Sequence, residues 1–240
     1  MKLTFLGTKG YIDPVSRRHR YHSSMRVEYR GRGLVIDCGE DWLGRIDEMG
    51  GSAILVTHAH PDHAFGLKDG SPVPVYATSE SWETMEDFDI DERRTMPVTR
   101  TVTIEGIDVR AFTVQHSTRA PAVGYRVTAG RARVFYVPDL VYIHEREKAL
   151  EGVRIYIGDG ATVERSMVRK PDKELIGHTP VRTQLTWCRK EGVPEAIITH
   201  CGSAIVGGDE RKVGATIREF ARERGVEVTI AHDGMERVLR

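Results

Sequence analysis

Ala53-Ile54-Leu55-Val56-Thr57-His58-Ala59-His60-Pro61-Asp62-His63 sets an apolar run directly against three histidines and a carboxylate. The run reads as a buried strand over 53–57, and its end reads as a metal site. Imidazoles and carboxylates are the donors that zinc and related divalent ions take, and a catalytic site uses about three protein ligands with one position open. Side chains at i and i+2 of an extended chain share a face, so His58 and His60 can grip one ion. Asp62 and His63 follow Pro61 at the start of a predicted helix and can turn toward a second. Two ions about 3.5–4 Å apart make a two-metal hydrolytic centre. The competing reading is a solvated loop; the strand before the cluster and the strict alternation within it argue for metal.

Upstream, a strand over 3–6 stops at Gly7 and leads into a loop over 11–22 that crowds Arg17, Arg18, His19, Arg20 and His22. Guanidinium forks match phosphate oxygens, which makes Arg18, Arg20 and His22 candidates for substrate binding, although such runs are commonly solvated. A hairpin follows over 25–29 and 33–37, then a helix over 41–49. Downstream come helices over 62–68 and 79–87, the latter N-capped by Ser79, with a strand over 73–77 between them. Hairpins over 101–104 with 109–114 and over 122–127 with 132–137 precede a helix over 140–150 and a strand over 154–157. A polar, basic segment over 163–176 carries Arg165, Arg169, Lys170 and Lys173. A helix over 180–190, a strand over 196–199, a helix from Asp209 to about Arg224, and strands over 226–230 and 235–239 complete the chain. Val213, Ile217 and Phe220 recur in the last helix at helical spacing. This alternation implies an α/β sandwich of two mixed sheets with helices outside.

The chain has 240 residues, enough for one well-buried domain spanning 1–240. Lys plus Arg and Asp plus Glu number 35 each, so no global electrostatic footprint for nucleic acid arises. Cys38, Cys188 and Cys201 form no CxxC pair, which speaks against a disulfide framework or a zinc knuckle and fits a reducing cytoplasm. No apolar run of membrane-spanning length occurs, and the expected protein is soluble and unprocessed.

His58-x-His60-x-Asp62-His63-x-x-Gly66-Leu67 resembles the signature of the metallo-β-lactamase fold, in the form seen in the ribonuclease Z and phosphonate-pathway phosphodiesterase branches. The resemblance covers nearly the whole chain. It implies a four-layer αβ/βα sandwich and two divalent ions, zinc or manganese. It further implies that His116, at the end of a strand, completes the first ion with His58 and His60, and that Asp139 bridges the two. His200, in Ile198-Thr199-His200-Cys201-Gly202, would complete the second ion with Asp62 and His63, Asp62 also counting as a catalytic carboxylate. Asp37 would orient a ligand histidine. His232, in the turn 231–234, is placed behind the ligands rather than among them, and Cys201 is read as a buried free thiol, although some branches use cysteine on the second ion. Gly158-Asp159-Gly160-Ala161-Thr162 and Gly177-His178-Thr179-Pro180 resemble the HEAT-type and GHST-type motifs of ribonuclease Z. They imply that His178 protonates the leaving group and that Asp159 orients it, a contribution of about 10²–10⁴-fold.

The expected function is hydrolysis of a small or cyclic phosphodiester, with a hydroxide held between two ions attacking phosphorus. A tRNA 3′-processing endoribonuclease is the alternative; by the family pattern it carries a long arm between the third ligand motif and the bridging aspartate, where this chain has a tight hairpin. RNA is therefore the lesser partner, and zero net charge points the same way. Hydrolysis of a lactone, thioester or β-lactam on the same scaffold is opposed by the Asp159 and His178 pair. Asp62 argues against a mononuclear iron oxygenase, and the filled ligand positions argue against a merely metal-binding module. No membrane partner is expected, and a homodimer is left open.

Overall fold

The computed structural model describes residues 1–171 and 173–240, with Glu210 described by its backbone alone; the expected basic segment thus lies within the description except for residue 172. Among the described residues, fifteen strands form two sheets. The first contains β1 (Lys2–Gly7), β2 (Ser24–Tyr29), β3 (Arg32–Ile36), β4 (Ile54–Leu55), β5 (Val75–Ala77), β6 (Arg93–Thr95) and, returning from the C-terminus, β15 (Glu236–Val238), in the order β15-β1-β2-β3-β4-β5-β6. The second contains β7 (Thr101–Ile104), β8 (Ile107–Gln115), β9 (Ala122–Ala129), β10 (Ala132–Val137), β11 (Tyr142–Ile143), β12 (Ile155–Asp159), β13 (Glu195–Thr199) and β14 (Glu227–Ile230), in the order β11-β8-β9-β10-β12-β13-β14 with β7 paired to β8. Both are mixed: β3-β4-β5-β6 and β10-β12-β13-β14 run parallel, the remaining pairs antiparallel.

The two-residue period of the strands builds three apolar layers. Leu34, Ile36, Leu55, Val134, Tyr136, Ile155, Ile157 and Ile197 face inward between the sheets. Their neighbours Phe135, Val137, Tyr156 and Ile198 face α3 (Arg146–Leu150), α4 (Val181–Lys190), α5 (Ser203–Val206) and α6 (Glu210–Arg222). Val35, Ile54 and Val75 face the other way, toward the 3₁₀ turns Glu40–Trp42 and Ile46–Met49, α1 (Pro61–Ala64) and α2 (Ser79–Thr84). Strands buried on both faces are continuously apolar, which is why 53–56 and 196–198 read as unbroken runs. The order helix, sheet, sheet, helix is the expected four-layer α/β sandwich.

Several elements differ from the sequence expectation. The helix expected over 41–49 is two 3₁₀ turns separated around Gly44, whose φ of +71° breaks the helical run. The expected helix over 140–150 forms only over Arg146–Leu150: the Val141 amide donates to the Gln115 carbonyl at 2.6 Å and Tyr142 pairs with Gln115, so β8 captures the start of the stretch as the short strand β11. Of the strand expected over 53–57, the regular element β4 keeps only Ile54 and Leu55, although Ala53, Val56 and Thr57 still make backbone hydrogen bonds to neighbouring strands. The N-cap of α2 is Thr78, whose side chain accepts from the Ser81 amide, rather than Ser79. Strands β6 and β11 and helix α5 had no sequence signal long enough to register.

Candidate metal centre

Every ligand candidate on a strand stands at that strand's C-terminal end. Asp37 follows β3, His58 lies three residues past β4, His116 follows β8, Asp139 lies two residues past β10, Asp159 closes β12 and His200 follows β13. Parallel strands open such an edge to ligands in α/β folds generally. Two hydrogen bonds tie the His58 motif to the opposite sheet: the Tyr125 hydroxyl donates to the Val56 carbonyl at 2.7 Å, and the Val123 amide to the Thr57 carbonyl at 3.0 Å. Asp37 and His200 are held at φ of +67° and +48°, conformations that cost energy and concentrate at functional sites. Gly10 leaves room beside them, since a Cβ there would stand 3.0 Å from His200 Nε2 and crowd it.

Three groups of donors converge, each with its donor atoms within 4.8 Å of one another: His58, His60, His116 and Asp139; Asp62, His63, Asp139 and His200; and Asp139, Asp159 and His178. In the first, His60 Nδ1 is 3.0 Å from His58 Nε2 and 3.3 Å from His116 Nε2, and Asp139 Oδ2 is 3.3 Å from His58 Nε2. In the second, His63 Nε2 is 3.0 Å from Asp139 Oδ2 and 3.2 Å from Asp62 Oδ2, and His200 Nε2 is 2.9 Å from Asp139 Oδ1. A tetrahedron with metal–nitrogen bonds of about 2.0–2.1 Å has edges of about 3.3 Å, so the spacing fits a divalent ion.

Tautomers reinforce that fit. His58 Nδ1 donates to Thr57 Oγ1, which donates onward to Asp37; His63 Nδ1 donates to Asp37 Oδ2 at 2.9 Å; His116 Nδ1 donates to the Gly177 carbonyl; His200 Nδ1 donates to Ser23 Oγ, which donates to the Lys9 carbonyl. With the outer nitrogens donating, the Nε2 atoms of His58, His116 and His200 are left to present lone pairs inward. Asp62 Oδ2, His63 Nε2 and Asp139 Oδ1 are buried and make no hydrogen bond, a costly arrangement that a cation relieves. Burial, with the neighbouring imidazoles, holds His58 well below its ordinary pKa and His60 down to about 4, so both are neutral donors. Burial alone would also lower His63, yet the Asp62 and Asp37 carboxylates outweigh it and raise it well above the ordinary value. The field that would keep a proton there also attracts a cation. Asp139 lies well below the carboxylate range because His200 and His116 overcome its burial.

The third group is built differently. His178 Nδ1 donates to Asp159 Oδ2 at 2.8 Å and lies 3.3 Å from Asp139 Oδ1. Burial alone would lower this imidazole, but the Asp159 and Asp139 carboxylates raise it to about 11. Asp159 is fixed in turn: its Oδ1 accepts from the Ala161 amide at 2.8 Å, its amide donates to Gln184 Oε1 at 2.9 Å, and Gln184 Nε2 donates to its carbonyl at 2.7 Å. Gln184 is a positioning residue that the sequence reading missed. The signal was present, since it shares the buried face of α4 with Val181, Leu185 and Cys188.

A cavity of about 710 Å³ opens onto all three groups, with Gly10, Tyr11, Ile12, Pro61, Thr162, Arg165 and Met167 among its walls. The loop arginines are elsewhere. Arg18 lines a recess with Arg218 beside α6, the Arg20 guanidinium lies over the Tyr21 ring, and His22 is buried with Nδ1 2.8 Å from Asp41 Oδ2. Asp233 is the cause: its carboxylate accepts from the amides of Arg20 and Tyr21 and from Thr8 Oγ1, drawing that stretch toward the C-terminal turn. The cation that does line the cavity is Arg165, from the basic segment. His232 lies outside the three groups, its Nδ1 3.1 Å from the Asp233 carbonyl. Cys201 is buried outside them as well.

Two mixed sheets between helices, with clustered histidines and aspartates at one strand edge, define a metal-dependent hydrolase of the metallo-β-lactamase fold. The chain belongs to the β-lactamase superfamily, whose domain model matches residues 32–201. It is 29% identical to a ribonuclease Z of Methanopyrus kandleri over 285 positions, covering 99% of this chain and 98% of the relative. Among solved structures it resembles the metallo-β-lactamase fold protein YhfI from Bacillus subtilis, with a TM-score of 0.75 at 16% identity and 98% of each chain covered. It also resembles a diphosphatase of the PhnP family, with a TM-score of 0.72 at 19% identity, covering 100% of this chain and 98% of that one. No helix among the described residues is long and apolar enough to cross a membrane.

Proposed function

We propose that this enzyme hydrolyses a small or cyclic phosphodiester with the help of two divalent ions, zinc or manganese. His58, His60, His116 and Asp139 would hold one ion, and Asp62, His63, His200 and Asp139 the other. When bound, the ions supply an acidified water and positive charge for the phosphoryl oxygens. The residues of the chain do the rest. Asp37 and Thr57 orient His58 and His63. His178, with Nδ1 committed to Asp159, keeps Nε2 for the departing oxygen and gives it a proton, while Asp159 fixes the tautomer and stabilises the imidazolium. The Arg165 carbonyl accepts from Thr162 Oγ1, while its guanidinium makes no hydrogen bond or ion pair among the described residues and can meet phosphate oxygens.

The observation that carries this reading is the Asp159–His178 pair beside Asp139, because an acid at that place serves the loss of an alkoxide. A small substrate is favoured because the chain between His116 and Asp139 is the plain β9–β10 hairpin, with Ala129 paired to Ala132. The alignment with the Methanopyrus kandleri ribonuclease Z runs over 285 positions against 240 residues, so that relative has stretches without a counterpart here. Its nearly full coverage nonetheless favours tRNA 3′ processing as the second reading. The unbridged, buried Cys38, Cys188 and Cys201 fit a reducing compartment such as the cytoplasm.

The test is turnover by metal-loaded protein of bis-p-nitrophenyl phosphate, cyclic nucleotides, a tRNA precursor, a lactone and nitrocefin. Phosphodiester turnover without lactone or nitrocefin turnover is expected. His178→Ala should lower kcat by about 10²–10⁴-fold on an alkoxide-leaving substrate and much less on the nitrophenyl ester, whose phenolate departs without a proton. Equal losses on both would refute the acid role.

A further inference from the structure

Two of the large apolar side chains that the fold leaves exposed stand on the cavity. Tyr11 is 62% and Met167 49% exposed, and both are part of its lining. A single exposed apolar residue needs no explanation. These two come from distant segments, the loop after β1 and the basic segment before α4, yet reach the same cavity, along with Ile12 and Pro61.

Both are held on fixed backbone. The Gly10 amide donates to the Cys201 carbonyl at 3.1 Å, the Ile12 amide to the Gly10 carbonyl at 2.9 Å, and the buried Lys9 ammonium to the Ile12 carbonyl at 3.3 Å. The turn carrying Tyr11 is thereby pinned on each side, and its ring lies beside that of His22, with centroids 5.9 Å apart. The Met167 amide donates to the His178 carbonyl at 3.1 Å, which fixes it beside the proposed acid. A tyrosine on rigid backbone offers contact area at small entropic cost, and a thioether makes favourable contacts with aromatic rings.

We propose that Tyr11 and Met167 form a seat for a flat aromatic ring carried on the substrate, so that the preferred phosphodiester bears a nucleobase or another aryl group rather than a sugar or alkyl chain alone. The proposal rests on the phosphodiesterase reading and adds the group recognised beyond the phosphate. Ring stacking on an aromatic side chain changes binding by on the order of tenfold or more.

The experiment compares kcat/KM of the metal-loaded enzyme on adenosine 2′,3′-cyclic phosphate and on the same cyclic phosphate of a ribose lacking its base, and on phenethyl methyl and butyl methyl phosphates. The aromatic member of each pair should be preferred by about tenfold. A preference confined to the adenosine pair identifies a nucleobase; a preference in both identifies any aryl ring. Tyr11→Ala should collapse these ratios, Tyr11→Phe should restore them, and Met167→Ala should reduce them. Independently of turnover, calorimetry should show AMP binding more tightly than ribose 5-phosphate, with the difference lost in Tyr11→Ala. Equal kcat/KM within both pairs, or equal binding of AMP and ribose 5-phosphate, overturns the seat. Absence of turnover on every phosphodiester overturns the catalytic reading instead, and the binding comparison still decides the seat.

Discussion

Asp139 shows how much a single carboxylate carries here: one oxygen lies within 3.7 Å of His58, His63 and His116, the other within 3.3 Å of His178 and His200. Aspartate suits the place because its short side chain is stiff and acceptor-only when ionised. Asp41 does comparable work at the edge of the site. Its Oδ2 accepts from the His22 amide at 2.8 Å and faces His22 Nδ1 at 2.8 Å. Burial alone would raise its pKa, but the hydrogen bonds from His22 outweigh that and hold it below the ordinary value. A depressed folded pKa contributes stability above the unfolded value, near 4, and that contribution fades as pH falls through the folded value. Wild-type protein should therefore exceed Asp41→Asn in stability most clearly near neutral pH, with the difference shrinking in acid. Urea titrations across pH measure it, and a difference independent of pH would refute the assignment. Histidines and aspartates announced themselves in the sequence through their chemistry. The parts played by Gln184, Asp233 and Arg165 were not legible there, because they come from what these side chains touch; of Gln184 only its place on the apolar face of α4 could be read.

At the scale of elements, the lesson is that capture by a neighbour decides short segments. Residues 141–143 follow β8 because its last residues offer unpaired backbone groups, whatever their helical pattern. The stretch 41–49 has helical content but is interrupted by Gly44. Helix α6 is the contrary case, long and amphipathic enough to be read correctly, with Val213, Ile217, Phe220 and Ala221 packed on the second sheet. Its N-cap is Asp209, whose Oδ1 accepts from the Arg211 and Lys212 amides at 3.1 and 3.2 Å. Asp209→Ala should cost about 1 kcal/mol, a fall in Tm of roughly 2–4 °C for a chain of this size. A thermal melt followed by circular dichroism measures it, and an unchanged Tm would remove the cap from the account.

At the scale of the molecule, the first sheet and its loops deliver Asp37, His58, His60, Asp62 and His63, while the second delivers His116, Asp139, Asp159 and His200. Ions held there would cross-link the two halves of the sandwich. Chelation should therefore lower Tm: an ion present at about a thousand times its Kd stabilises by about 4 kcal/mol, or roughly 10 °C. Scanning calorimetry after EDTA treatment, and again after zinc or manganese is restored, tests this; a Tm indifferent to both would rule out a cross-linking role. The sequence by itself determined the fold class, because strand periodicity and continuous apolar runs are local and record burial on one face or both. It also determined the identity of the clustered donors, because six residues at alternating spacing encode a metal site without reference to the rest of the chain. Tertiary structure alone decided that Arg165, rather than the loop arginines, reaches the cavity, that Gln184 holds Asp159, and that Tyr11 and Met167 line the same cavity. Those outcomes depend on contacts between residues far apart in the chain, set by Asp233 drawing one loop aside and by the sandwich closing, and no local spacing records them.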